Sequence, residues 1–150
     1  HKKLVVKEVL EDKLVIITPR GRPLAVKKRW TPKDLEGHPF IMHEKESAPR
    51  RAIEEFIRKC RISVKIPLEL SSNRAIKRAV EEGIGIALIS RKVANEEIRA
   101  KRMHAINLAH PAMKRKFFLV HHKDKYLSES LRLLLDMVFD WTSQYSKELK

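Results

Sequence analysis

Cysteine and aromatic residues are scarce in this chain of 150 residues, which holds one Cys and 6% Phe, Trp and Tyr, and each scarcity excludes something. The single Cys60 cannot close an internal disulfide, which removes the disulfide-built secreted scaffolds and fits a reducing compartment. It stands in helical register with Ile53, Phe56 and Ile57, so it reads as a structural thiol rather than a redox sensor. Few aromatics leave little on which single-stranded nucleic acid could stack. No apolar run approaches the length of a membrane span, and residues 1 to 20 lack the basic, apolar and small order of a signal peptide. Acidic residues are short as well: 19 Asp and Glu stand against 33 Lys and Arg, a net charge of +14. Such a field concentrates anions. A nucleic-acid surface would gather these cations on one face, whereas they are spread along the chain, so a solvated surface that favours an anionic small molecule is the preferred reading.

With 43% hydrophobic residues the chain can bury one real core, as a single body or two small lobes. Leu4-Val5-Val6 and Leu14-Val15-Ile16-Ile17 read as two strands separated by a polar turn at Glu11-Asp12-Lys13. Pro19 to Pro23 reads as a loop. Thr31-Pro32-Lys33-Asp34 has the form of a capped helix start that Gly37 ends. A helix over 49 to 60 puts Ala52, Ile53, Phe56, Ile57 and Cys60 on one face, and a second over 73 to 82 carries Ile76, Ala79 and Val80, with Gly83 at its C-cap. Ile84 to Ile89 reads as a strand covered on both faces, and Ser90 as the cap of a weak helix through Ile98. A terminal helix from Ser128 to Tyr145 shows Leu131, Leu134, Leu135, Val138 and Phe139 as a stripe. Strands alternating with helices predict an α/β sandwich with a mainly parallel sheet.

Two strand-to-helix junctions carry the chemistry. Pro39-Phe40-Ile41-Met42 leads into Glu46-Ser47-Ala48-Pro49-Arg50, and Ile66-Pro67-Leu68-Glu69-Leu70 leads into Ser71-Ser72-Asn73-Arg74-Ala75-Ile76. In each, an apolar run stops at a small polar residue able to accept from free helix N–H groups, which makes the helix N-terminus receptive to an anion. The order of these pieces resembles the effector-binding region of LysR-type transcriptional regulators, over nearly the whole chain. The family's "PFI" strand, its Ser-x-x-Arg turn and its "SN-x-A-I-x-x-A-V-x-x-G-x-G-I" segment stand here as Pro39 to Ile41, Ser47 to Arg50 and Ser72 to Ile86. Arg115 to Asp124 is similar to its last strand, and Leu127 onward to its terminal helix. One departure is Ala48-Pro49 where the family usually has Gly after the Ser, which stiffens the loop.

The resemblance implies a type 2 periplasmic-binding-protein-like fold in which Rossmann-like α/β lobes flank an effector cleft. On that template residues 1–12 are a remnant of lobe I with the first hinge strand. Residues 13–118 are lobe II, and residues 119–150 hold the second hinge strand's end and the C-terminal helix of lobe I. Lobe I is then incomplete, and its first half and the family's winged helix-turn-helix would lie upstream of His1. The implied function is sensing of a small anionic metabolite to control transcription in the cytoplasm. Promoter DNA would be bound through the missing domain, and the regulator would be a dimer or tetramer. The expected effector contacts are Ser47 with Glu46, Ala48, Pro49 and Arg50, then Ser72 and Asn73, and Thr18 at a strand end. Capping alone also accounts for Ser47, Ser72 and Asn73, and a surface ion pair for Arg50.

The histidines do not make a metal site by spacing: His121 and His122 are adjacent and would point to opposite faces of a strand, and His38 and His43 flank another with no Cys or Asp pair near. No Gly-x-Ser-x-Gly elbow or placeable carboxylate pair points to catalysis, and no cofactor motif appears. Two rival readings stay open: an extracytoplasmic solute receptor of the same fold, and a basic nucleic-acid-binding module.

Overall fold

The computed structural model describes residues 3–21 and 29–147, so Arg22 and Pro23 of the expected loop lie outside the described residues. The chain divides into two compact units, one of residues 13–113 and one that joins residues 1–12 to 114–150.

In the 13–113 unit the strands are the second half of β1 (Leu4–Pro19), β2 (Pro39–His43), β3 (Lys65–Leu70), β4 (Ala87–Ser90) and β5 (Met103–Ile106). The helices are α1 (Ala48–Cys60), α2 (Asn73–Glu81) and the short α3 (Asn95–Arg99). β2 and β3 pair in parallel. A parallel bridge between Phe40 and Ile86 stitches β2 to the approach of β4, and β1 lies antiparallel between β4 and β5. Four strands therefore point one way and β1 the other, so the strands run mainly in one direction, as expected, with β1 as the antiparallel exception.

Alternation along the strands sorts the core into two layers. Leu14, Ile16, Phe40, Met42 and Leu88 pack with Ile53 and Phe56 of α1. Val15, Ile17, Ile41, Ala87 and Ile89 pack with Ile76, Ala79 and Val80 of α2. A sheet covered by helices on both faces needs continuous apolar strands, and the run from Leu14 to Ile17 supplies one. Gly85 allows the close approach at the bridge: a Cβ there would sit 2.4 Å from the Pro39 carbonyl oxygen. α2 ends as the sequence implies, with Gly83 at φ 78° and the Ile84 and Gly83 N–H groups donating to the Ala79 and Val80 carbonyls. α1 ends in the same backbone form but with Arg61, at φ 51°, where glycine would be unstrained.

The other unit pairs the first half of β1 with β6 (Lys114–His122) and adds α4 (Glu129–Lys147). Here the expected turn at Glu11-Asp12-Lys13 is not a turn: β1 runs unbroken for 16 residues. The charges that suggested a turn are cross-strand partners instead, since Glu11 and Asp12 pair with Lys114 and Arg115 at 2.8 and 2.7 Å, and Glu8 with Lys116 at 2.7 Å. The Lys7 ammonium lies 5.4 Å from the centre of the Phe139 ring. Of the expected α4 stripe, Leu131, Leu135, Val138 and Phe139 are half-buried and Leu134 is exposed. Leu133, Met137 and Trp141 extend the exposed apolar side, and Val6, Phe118 and Val120 are more than half exposed.

Ser90 does not cap a helix. Its Oγ accepts from the Lys92 N–H at 3.2 Å within a turn, and α3 begins only at Asn95. β5 carries no turn signal and no long apolar run, and periodicity alone does not reveal it.

Candidate functional site

β2, β3 and the β4 approach are parallel, so their last residues, His43, Leu70 and Ser90, fall on one edge of the sheet. α1 and α2 start from that same edge. In open α/β sheets this is where ligands bind, because loops and helix N-termini converge there.

The turn into α1 is built from Glu44 to Ser47, with Glu46 in the left-handed region at φ 66°. Ser47 caps the helix, its Oγ accepting from the Arg50 N–H at 3.2 Å. Pro49 has no N–H and the Arg51 N–H goes to the Ser47 carbonyl, so Ala48 is the first-turn donor left over. The turn into α2 repeats the device, with Ser72 Oγ accepting from the Ala75 N–H at 3.2 Å. It contains no proline, so the N–H groups of Asn73 and Arg74 both remain outside the intrahelical ladder. α2 therefore offers the richer set of donors, although the sequence drew more attention to Ser47. The exposed Arg74 adds a cation at the same turn.

Arg50 turns inward. It is 5% exposed, and its Nε donates to Glu54 at 2.6 Å. Its Nη1 donates to the His43 carbonyl and to Glu69, both at 3.0 Å. Burial alone would lower its pKa, but the bonds to Glu54 and Glu69 outweigh that and hold it above the ordinary arginine value. The neighbouring His43 is buried as well, and its Nε2–H donates to Asn73 Oδ1 at 3.0 Å.

The structure thus gathers Glu46, Ser47, Ala48, Pro49, Arg50, Ser72 and Asn73 on one edge, with Arg50 facing protein instead of the open side. Thr18 is not among them. β1 runs against β4, with Leu14 beside Ser90 and Ile17 beside Ala87. The end of β1 therefore lies toward the opposite edge, where Thr18 pairs with His104 of β5. Thr18 is fully buried, and its Oγ1 has no hydrogen-bond partner among the described residues. Sequence reasoning missed His43 and Ser90 as edge residues; the signal was available, since each ends an apolar run one residue past its last buried hydrophobe.

No group of three or more His, Cys, Asp or Glu placed to hold a metal occurs among the described residues. None of the described helices is long and apolar enough to cross a membrane. Cys60 is half-buried, with Sγ 3.6 Å from His110 Nε2, and burial raises its pKa.

Helix N-termini on one strand-end edge are the ligand-receiving arrangement of open α/β folds, and the fold here is the type 2 periplasmic-binding-protein-like one of LysR regulatory domains. The chain belongs to the LysR substrate binding domain family, whose profile matches residues 1–143. It is 33% identical over 135 residues to the HTH-type transcriptional activator CmpR of Synechocystis sp., which covers 89% of this chain and 44% of that protein. It is 32% identical over 127 residues to the HTH-type transcriptional regulator YeiE of Escherichia coli K12, covering 85% of this chain and 43% of that protein. The chain spans under half the length of these curated relatives. Among solved structures, the Synechocystis PCC6803 CcmR regulatory domain in complex with 2-PG superposes with a TM-score of 0.84 at 30% identity, over 93% of this chain and 67% of that one. The effector binding domain of QuiR in complex with shikimate shares the fold, with a TM-score of 0.80 at 17% identity over 96% of this chain and 68% of that one.

Proposed function

We propose that this chain is the effector-sensing part of a LysR-type transcriptional regulator and that its ligand is a small anionic metabolite. The observation that carries this reading is the pair of serine-capped helix N-termini, Ser47 and Ser72, on the edge where β2 and β3 end. Partial positive charge at both, with leftover N–H donors at Ala48, Asn73 and Arg74, suits a carboxylate or phosphate. The net charge of +14 raises the local concentration of such ligands. The 2-PG held by the CcmR regulatory domain is a natural first probe.

In this reading residues 13–118 are effector lobe II, and residues 1–12 and 119–150 are the hinge strands and terminal helix of lobe I. Promoter DNA is bound outside this chain, the regulator is a cytoplasmic dimer or tetramer, and the effector acts by favouring one arrangement of the protein over another. Isothermal titration of the chain with 2-PG and with a panel of mono- and dicarboxylates tests it. Saturable binding that Ser47→Trp or Ser72→Trp abolishes is expected. Binding that survives both substitutions would move the site elsewhere, and saturation by uncharged analogues alone would remove the anion.

A further inference from the structure

Arg50 and His43 lie beneath the candidate edge rather than on it, and together they join its two helix starts. Arg50, at the third residue of α1, reaches with Nη1 to the His43 carbonyl and to Glu69 of β3, both at 3.0 Å. His43, the last residue of β2, reaches with its ring to Asn73, the first residue of α2, at 3.0 Å. The Glu44 N–H donates to the Leu70 carbonyl at 3.1 Å and closes the gap between the two strand ends. Arg50 and His43 are 5% and 6% exposed, so water competes little for these bonds.

We propose that Arg50 and His43 are positioning residues that couple the first turn of α1 to the first turn of α2, so that a ligand held at one is felt at the other. The consequence for ligand binding rests on the anion-receiving reading of this edge; the coupling itself does not. A buried guanidinium with three acceptors in fixed directions has few alternative arrangements, and a residue whose carbonyl is bonded to one helix start and whose ring is bonded to the first residue of the other transmits displacement in both directions. Neither residue needs to touch the ligand.

The test uses the whole chain, His43→Leu and His43→Gln, and amide resonances read by NMR. Without ligand, His43→Leu should shift the amides of residues 47 to 51 as well as those of residues 72 to 75, and should speed hydrogen exchange at the Arg50 and Ala75 N–H groups about tenfold. His43→Gln, which retains an N–H donor toward Asn73, should restore most of the native pattern. Shifts in His43→Leu confined to one of the two turns, or no rescue by His43→Gln, would overturn the coupling. Titration with 2-PG supplies the second arm. Wild type should respond at both turns, and His43→Leu should bind at least about fivefold more weakly with the response confined to one. A wild-type response at both turns that His43→Leu leaves intact would also overturn the coupling. Absence of any 2-PG response in wild type would count against 2-PG as the ligand, while the ligand-free arm still decides the coupling.

Discussion

His43 Nε2 stands 3.0 Å from Asn73 Oδ1, which ties the end of a central strand to the first residue of a helix that begins 30 residues later. Around it the chain has placed a buried cation, Arg50, whose acceptors come from α1, β2 and β3. Polar residues this deep are costly unless every group is satisfied, so the cluster should be sensitive to the loss of any member.

Arg50→Met should therefore destabilise the 13–113 unit by about 3 kcal/mol, since it strands Glu69 and leaves the His43 carbonyl without its donor. Chemical unfolding followed by far-UV circular dichroism measures this. The double change Arg50→Met with Glu69→Met should recover part of the loss, because, of the two carboxylates that lose their cation, only the more exposed Glu54 then remains, and water can solvate it; equal losses in the single and double variants would contradict the account.

Gly85→Ala should cost about 2 kcal/mol or more, because the new Cβ would fall 2.4 Å from the Pro39 carbonyl oxygen. That oxygen accepts from the Ile86 N–H at 2.8 Å, so the clash opens the bridge joining β2 to the approach of β4. Thermal unfolding of the variant at neutral pH would show it, and an unchanged midpoint would mean the two strands can separate without loss.

Arg61→Gly should stabilise the protein by about 1 kcal/mol, since Arg61 occupies a left-handed backbone at φ 51° that glycine adopts without strain. The same equilibrium unfolding measurement applies, and a lower midpoint in the variant would show that the arginine side chain makes a compensating contact.

Stability should fall in acid in a way that Glu97 partly controls. Burial pushes the Glu97 carboxyl up, but the bond from Lys77 at 2.6 Å, with the nearby Arg102, outweighs burial and holds it below its ordinary 4.5. A carboxyl whose pKa is depressed on folding contributes stability above its unfolded value and loses it as pH falls through the folded one. Unfolding midpoints should therefore drop as pH is lowered below about 4.5, the ordinary carboxyl value, and Glu97→Gln should be less stable at pH 7 and flatter across that acid range. Parallel slopes for the two proteins would exclude Glu97 as a source of the acid lability.

Local rules in the sequence were enough to locate the two serine caps, the glycine C-cap at Gly83 and the apolar faces of α1 and α2, because each depends on residues within one or two turns. What they could not supply was direction. Thr18 ends an apolar run as His43 does, but strand polarity puts it toward the opposite edge, and no periodicity encodes polarity. Arg50 looked like a surface cation because its acceptors, the His43 carbonyl and Glu69, lie 7 and 19 residues away. The continuity of β1 was hidden for a similar reason: Glu11 and Asp12 read as a turn until Lys114 and Arg115 are brought across from them.

That unbroken strand limits how this sequence can vary. Both compact units take their register from the same 16 residues, one half pairing with β6 and the other with β4 and β5. Because side chains alternate with a period of two, one residue inserted near Asp12 would invert the inward and outward faces of one half relative to the other. Leu14 and Ile16 would exchange layers with Val15 and Ile17, or Glu8 would turn away from Lys116. A substitution at the middle of β1 disturbs the partners of one side chain, whereas a single insertion or deletion there would put one of the two halves out of frame with its own partners.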